Sequence, residues 1–104
     1  MSKIISKNIC PLNATMNHIG TKWKPLVLFH LLDGPERSGI LKSRIPEISN
    51  KMFTQTVREL EKDLLVSRKI YPVVPPKVEY QLTKKGRSLE YILRELDEWG
   101  KQLE

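Results

Sequence analysis

Apolar positions recur at helical spacing along most of the chain. Leu12, Thr15, Met16 and Ile19 predict a first helix, opened by Pro11 and stopped by Gly20. Pro25 opens a second helix through the run from Leu26 to Leu32. That run is apolar nearly all round, so it is expected at the centre of the core. Trp23 and Phe29 are assigned to the same core. Asp33-Gly34-Pro35 ends the helix, and a short helix from about Gly39 to Ile45 stops at Pro46. Ser49 is the expected N-cap of the next helix. There Phe53, Val57, Leu60 and Leu64 fall within about 60° of arc at 100° per residue. Lys51, Thr54, Gln55 and Arg58 occupy the opposite face.

After Leu65 the period changes from helical to alternating. Val66 to Tyr71 is β-branched and aromatic, and Val78 to Thr83 alternates as a half-buried strand does. The segment Pro72-Val73-Val74-Pro75-Pro76-Lys77 joins them as a proline-stiffened hairpin tip. Thr83 can cap one last helix, in which Leu89, Ile92, Leu96, Trp99 and Leu103 step by three and four. This is the seam spacing of a coiled coil. Glu90/Arg94 and Asp97/Lys101 are i,i+4 pairs on its outside.

Length and composition narrow the class. The 104 residues fit one domain, and 39% hydrophobic with 29% charged residues fits a soluble globular one. No apolar run is long enough for a membrane helix, and no secretory signal is visible. A cytoplasmic location is expected, associated with the nucleoid when DNA is bound. The net charge of +6 is uneven. Residues 1–60 hold nine basic and four acidic side chains (+5), and residues 61–104 hold nine and eight (+1). A basic half facing a polyanion accounts for this asymmetry, although ordinary solubility charge would also do so.

Catalysis finds no support. Cys10 is the single cysteine, and Cys10, His18 and His30 show no metal-ligand spacing. No phosphate loop, nucleophile elbow or zinc-protease motif occurs. No cofactor or metal is expected, and the chain is not expected to be an enzyme.

The order of elements supplies the fold class. Two helices, a short helix, a polar-faced helix, a hairpin and a last helix follow the plan of a winged helix-turn-helix. The expected class is α+β, mostly helical, with a two-stranded β wing and terminal dimerisation helices. The domain would span residues 1–104, with an N-terminal arm over 1–10 and a C-terminal dimer helix over 84–104. An α-helix fits the major groove of B-DNA, and its base-facing side must carry hydrogen-bonding groups. Lys51, Gln55 and Arg58 are of the types that read base edges, and Thr54 can reach a phosphate or a thymine methyl. Ser49 presents helix N–H groups to a phosphate. Arg68, Lys69 and Lys77 on the wing suit backbone contacts that set affinity. Lys22 and Lys24 are either phosphate contacts or plain surface residues. The alternative to DNA binding is a protein-interaction module that kept the fold. The donor face and the basic half argue against it.

The sequence also resembles a known family. Cys10-Pro11, Ile19-Gly20-Thr21-Lys22-Trp23-Lys24-Pro25-Leu26, Leu31-Leu32-Asp33-Gly34-Pro35, Arg58-Glu59-Leu60-Glu61 and Tyr71-Pro72-Val73-Val74-Pro75-Pro76-Lys77-Val78-Glu79-Tyr80 look like the HxlR-type regulators. The likeness runs from about Cys10 to Trp99. It implies a bacterial homodimeric transcription factor akin to the MarR group, expected to act as a repressor on palindromic double-stranded operator DNA. The terminal helices would make the dimer, through Leu12 and Met16 at one end and Leu89, Ile92, Leu96, Trp99 and Leu103 at the other. Ser38 stands where the family usually has an aromatic residue, and Leu64 where a glycine usually precedes Leu65.

Cys10 is the sensor candidate. It directly precedes the helix that Pro11 opens, and a helix N-terminus favours an anion such as the reactive thiolate. Lys7 would add to this. The resemblance implies a sensor of electrophiles or oxidants at this position. A buried packing role for Cys10 and control by a noncovalent ligand are the alternatives. With one cysteine per chain, the switched state would be an adduct, a mixed disulfide or a Cys10–Cys10 bridge across the dimer.

Overall fold

The computed structural model describes residues 10–103. Most of the expected arm over 1–10, and Lys7 with it, therefore lies outside the described residues. Helix α1 spans Pro11–Ile19, with Cys10 at its N-cap and Gly20 at its C-cap. Helix α2 spans Lys24–His30, and the Lys24 N–H donates to Thr21 Oγ1 at 3.2 Å. Val27, Leu28, Leu31 and Leu32 are buried, as the apolar run predicts. The burial is not all round, however. Leu26 is exposed, and Trp23 and Phe29 only pack against the edge of the core. One face of α2 meets the core, and Pro25, Leu26 and Phe29 instead line an open groove beside the last helix.

Strand β1 is Glu36–Arg37, α3 is Ser38–Ser43 and α4 is Asn50–Lys62. Strands β2 (Val66–Tyr71) and β3 (Lys77–Leu82) form the expected hairpin. The sheet has three strands rather than two, in the order β1-β3-β2, all antiparallel. Glu36 pairs with Tyr80, and Arg37 with Glu79. A strand of two residues is too short to show a period of two, so only its partner reveals it.

Ser49 caps α4 as expected, its Oγ accepting from the Met52 N–H at 3.0 Å. Phe53, Val57 and Leu60 are buried, but Leu64 leaves the predicted stripe. It lies beyond the helix end, 67% exposed, and Leu65 takes the core position. The Leu65 N–H donates to Leu60 O and the Leu64 N–H to Glu61 O, the paired bonds of a Schellman stop. This stop puts Leu64 at φ 62°, the left-handed region that suits glycine. Leu64→Gly is therefore expected to stabilise the fold by about 1 kcal/mol. Urea denaturation would check this, and an unchanged or lower midpoint would refute it.

The last helix is divided. Thr83 caps a single turn, α5 (Lys84–Arg87), by accepting from the Gly86 N–H at 3.0 Å. Helix α6 (Glu90–Lys101) follows after Ser88 and Leu89. Gly86 lies hard against the Leu65 carbonyl, where any side chain would collide. Arg87 Nη1 donates to Leu32 O at 2.7 Å. These contacts hold the turn against the core, and α6 then departs from it. Leu89 and Leu93 face the core, and Leu93, outside the predicted seam, is the buried one. Ile92, Leu96, Trp99 and Leu103 are exposed. The outside pairs form as predicted, Arg94 Nε to Glu90 at 2.9 Å and Lys101 Nζ to Asp97 at 3.8 Å.

Candidate nucleic-acid interface

Helix α4 stands on the core through Phe53, Thr56, Val57 and Leu60. The Phe53 ring meets Tyr80 of β3 edge-on, 6.2 Å between centroids, which braces the helix against the wing sheet. The opposite face is solvent-exposed and carries Lys51, Thr54, Gln55 and Arg58. With Asn50, Glu59 and Lys62 they line one open depression. Four expected groove-facing residues are thus brought together, and Ser49 adjoins them at the helix N-terminus.

Glu59 is the residue that base-reading types alone overlook. Gln55 Nε2 donates to Glu59 Oε2 at 3.1 Å. Lys24 Nζ of α2 lies 3.1 Å from Glu59 Oε1. The Gln55 hydrogen bond first, and then Lys24, hold the Glu59 carboxyl below its usual range. Lys24 is accordingly neither of the surface roles expected for it. It is buried and committed to Glu59. The i,i+4 spacing of Gln55 and Glu59 was a legible signal, but the arrival of Lys24 from another helix was not.

The wing divides its cations. Alternation along the hairpin puts Lys69, Tyr71, Lys77 and Glu79 on one face and Arg68 with Tyr80 on the other. The Lys69 and Lys77 ammonium groups lie 4.9 and 4.3 Å from the Tyr71 ring centre. Tyr71 in turn donates its hydroxyl to Glu79 Oε1 at 3.0 Å. Arg68 Nε pairs with Glu61 Oε2 of α4 at 3.4 Å, tying the wing to that helix. Arg68 and Lys69, adjacent in sequence, therefore serve different neighbourhoods.

Cys10 is exposed at the start of α1, and its Sγ accepts from the Asn13 N–H at 3.4 Å. Leu12 and Met16 on α1 are exposed, as are Tyr91, Ile92, Leu96, Trp99 and Leu103 towards the C-terminus. Among the described residues no group of three or more His, Cys, Asp or Glu side chains could hold a metal. Among them, too, no helix is long and apolar enough to cross a membrane.

Comparison with known proteins identifies the family and the fold. The model of the HxlR-like helix-turn-helix family matches residues 18–104. The uncharacterized HTH-type transcriptional regulator YkvN of Bacillus subtilis is 53% identical over 96 residues, covering 92% of this chain and 81% of that protein. The HTH-type transcriptional regulator YodB of B. subtilis is 34% identical over 99 residues, covering 94% and 88%. The redox regulator HypR in its oxidized form superposes with a TM-score of 0.85 at 44% identity, covering 89% of this chain and 96% of HypR. Reduced YodB superposes with a TM-score of 0.75 at 36% identity, covering 90% and 93%. The chain belongs to the HxlR-like helix-turn-helix family of transcriptional regulators.

Proposed function

We propose that this chain is one protomer of a homodimeric regulator, acting as a repressor, that reads a palindromic operator with α4 in the major groove. A single observation carries this reading: the exposed Lys51/Thr54/Gln55/Arg58 face of a helix whose other side is locked into the core. Arg58 and Lys51 suit guanine edges, Gln55 suits adenine, and Thr54 suits a thymine methyl or phosphate. Ser49 and the wing residues Arg68, Lys69 and Lys77 contact the backbone. Residues 1–104 act as one DNA-binding unit. Its partner copy packs on α1 and α6 through Leu12, Met16, Ile92, Leu96, Trp99 and Leu103, whereas Leu89, expected in the same seam, packs against the protomer's own core. The exposed apolar stripe on α6 supports this, because water is a poor neighbour for Trp99 at 62% exposure.

The test is fluorescence anisotropy with labelled duplex from upstream of the chain's own gene. Binding is expected to weaken steeply with salt, since each neutralised phosphate releases counterions. Arg58→Ala is expected to lose about 1–3 kcal/mol of operator affinity with an unchanged melting temperature. A folded variant that binds like wild type would misplace the recognition face.

Cys10 is proposed as the sensor of thiol-reactive electrophiles or oxidants. Its exposed sulfur at the start of a helix that also carries the exposed Leu12 and Met16 supports this. HypR is described as a redox regulator in oxidized and reduced forms, and YodB has a diamide-treated form. Cys10→Ser is expected to bind the operator normally and to lose the response to a quinone or diamide. A Cys10→Ser protein that still responds would transfer the signal to a noncovalent ligand.

A further inference from the structure

A carboxylate on the DNA-facing side of a helix opposes affinity, because it faces phosphate. Glu59 sits there, at the edge of the Lys51/Gln55/Arg58 depression. It is also held in place from both sides, by Gln55 at 3.1 Å and by Lys24 at 3.1 Å. The Lys24 side chain is only 10% exposed and belongs to α2, where Val27 and Leu28 are wholly buried. The carboxylate is therefore fixed to a rigid part of the fold and does not swing with its own side chain alone.

The two ends of a glutamine amide are nearly equal in size, so only a partner of fixed polarity decides which end points where. An ionised carboxylate accepts and cannot donate, so Gln55 must face Glu59 with its nitrogen. Its oxygen then points elsewhere. That nitrogen carries two hydrogens. Reading adenine in the major groove takes the amide oxygen, accepting from N6–H, and one N–H, donating to N7. Only the N–H beside the oxygen can share the adenine edge with it. The other hydrogen is spare, and a donor left without a partner in a closed interface is costly.

We propose that Glu59 is a positioning residue for base readout: it takes the spare amide hydrogen of Gln55 and so presents the remaining oxygen and N–H as a pair toward adenine. The inference rests on the base contact of Gln55 put forward above. Lys24 completes the device by neutralising Glu59, so that the carboxylate orients Gln55 without repelling the duplex at full strength. Specificity at one base pair is thereby gained at some loss of general affinity.

The test selects bound sequences from a duplex DNA library with a randomised core, using wild type, Gln55→Ala, Glu59→Ala and Glu59→Gln. Wild type is expected to prefer adenine roughly five- to a hundred-fold at the position that Gln55→Ala flattens. Glu59→Ala should flatten that same position and leave the others. Its affinity for random duplex should stay equal or rise, because a negative charge has gone. Glu59→Gln keeps an accepting oxygen for Gln55 and should retain most of the preference. Glu59→Asp keeps the charge but draws it back by one methylene from Gln55, and it should give the same flattening if Glu59→Ala melts too low to assay. Full adenine preference in Glu59→Ala overturns the inference, and so does weakening at every position with poorer random-duplex binding. If Gln55→Ala itself flattens no position, the base contact fails and the inference with it. If Gln55→Ala flattens one that Glu59→Ala spares, the positioning role alone fails.

Discussion

Trp99→Glu is expected to leave the protomer folded and to abolish most of its self-association. Trp99 lies on the outer side of α6, beyond the part of the helix that Leu89 and Leu93 hold to the core. In an isolated protomer the new carboxylate would sit in water, where a surface change costs within about 0.5 kcal/mol. In a two-fold dimer the same substitution acts on both copies. Each loses a large aromatic anchor and presents an unpaired charge, beside Glu95 and Glu98, to an apolar face. The two effects together are expected to cost about 3–4 kcal/mol of dimer free energy, a hundred-fold or more in the association constant. Operator affinity should fall with it, because a lone protomer holds one half-site. Sedimentation equilibrium beside anisotropy on the same samples would check this. A dimer of wild-type strength would move the interface off α6.

Leu28→Ala is the second large effect, and it concerns the core. Leu28 has no exposed surface and lies mid-way along α2, the helix on which both α4 and α6 pack. Truncation removes three buried carbons and leaves a cavity that the neighbouring helices cannot close. The expected loss is about 2–5 kcal/mol. For a domain of this size that is a fall of roughly 10–30 °C in melting temperature. Urea and thermal denaturation would measure it, and a loss below about 1 kcal/mol would mean that α2 is not the centre of the core. Operator binding by Leu28→Ala well below its melting point should survive, because the α4 donor face is not touched.

The sequence marks these two positions unequally. Leu28 lies in an apolar run with helical length, so its burial followed from the run. The same run also suggested burial for Leu26, which the structure leaves exposed beside a groove. Periodicity says that a face is apolar; it does not say whether another element covers it. The three-four spacing of Trp99 with Ile92 and Leu96 predicts an apolar stripe, and the structure leaves that stripe exposed on the protomer. Leu89 shares that spacing yet turns to the core, because the turn over Ser88 and Leu89 precedes the point where α6 departs.

The candidate interface divides in the same way. Lys51, Thr54, Gln55 and Arg58 were found together because an α-helix places fixed spacings on one side, whatever surrounds it. Arg68 and Lys69 form a group only as neighbours in sequence. A strand sends neighbours to opposite faces, and the hairpin register puts Arg68 against Glu61 and Lys69 against Tyr71.

Local chemistry therefore settled the elements themselves. The caps at Cys10, Ser49 and Thr83, the stop at Gly20, the hairpin, and the polar face of α4 depend on residues within one or two turns of each other, whereas α3 ends at Ser43, before Pro46 is reached. Hydrogen bonds and side-chain periodicity act at that range, so the amino-acid order alone determines them. Only the folded chain decided what depends on distant partners. Lys24 became a buried counter-charge because α4 brought Glu59 to it, and Glu36–Arg37 became a strand because β3 offered an open edge. Leu64 took a left-handed conformation because Leu65 and Val66 had to enter the core directly after α4. For Leu64 the local preference is worth about 1 kcal/mol, and burial of Leu65 and Val66 outweighs it.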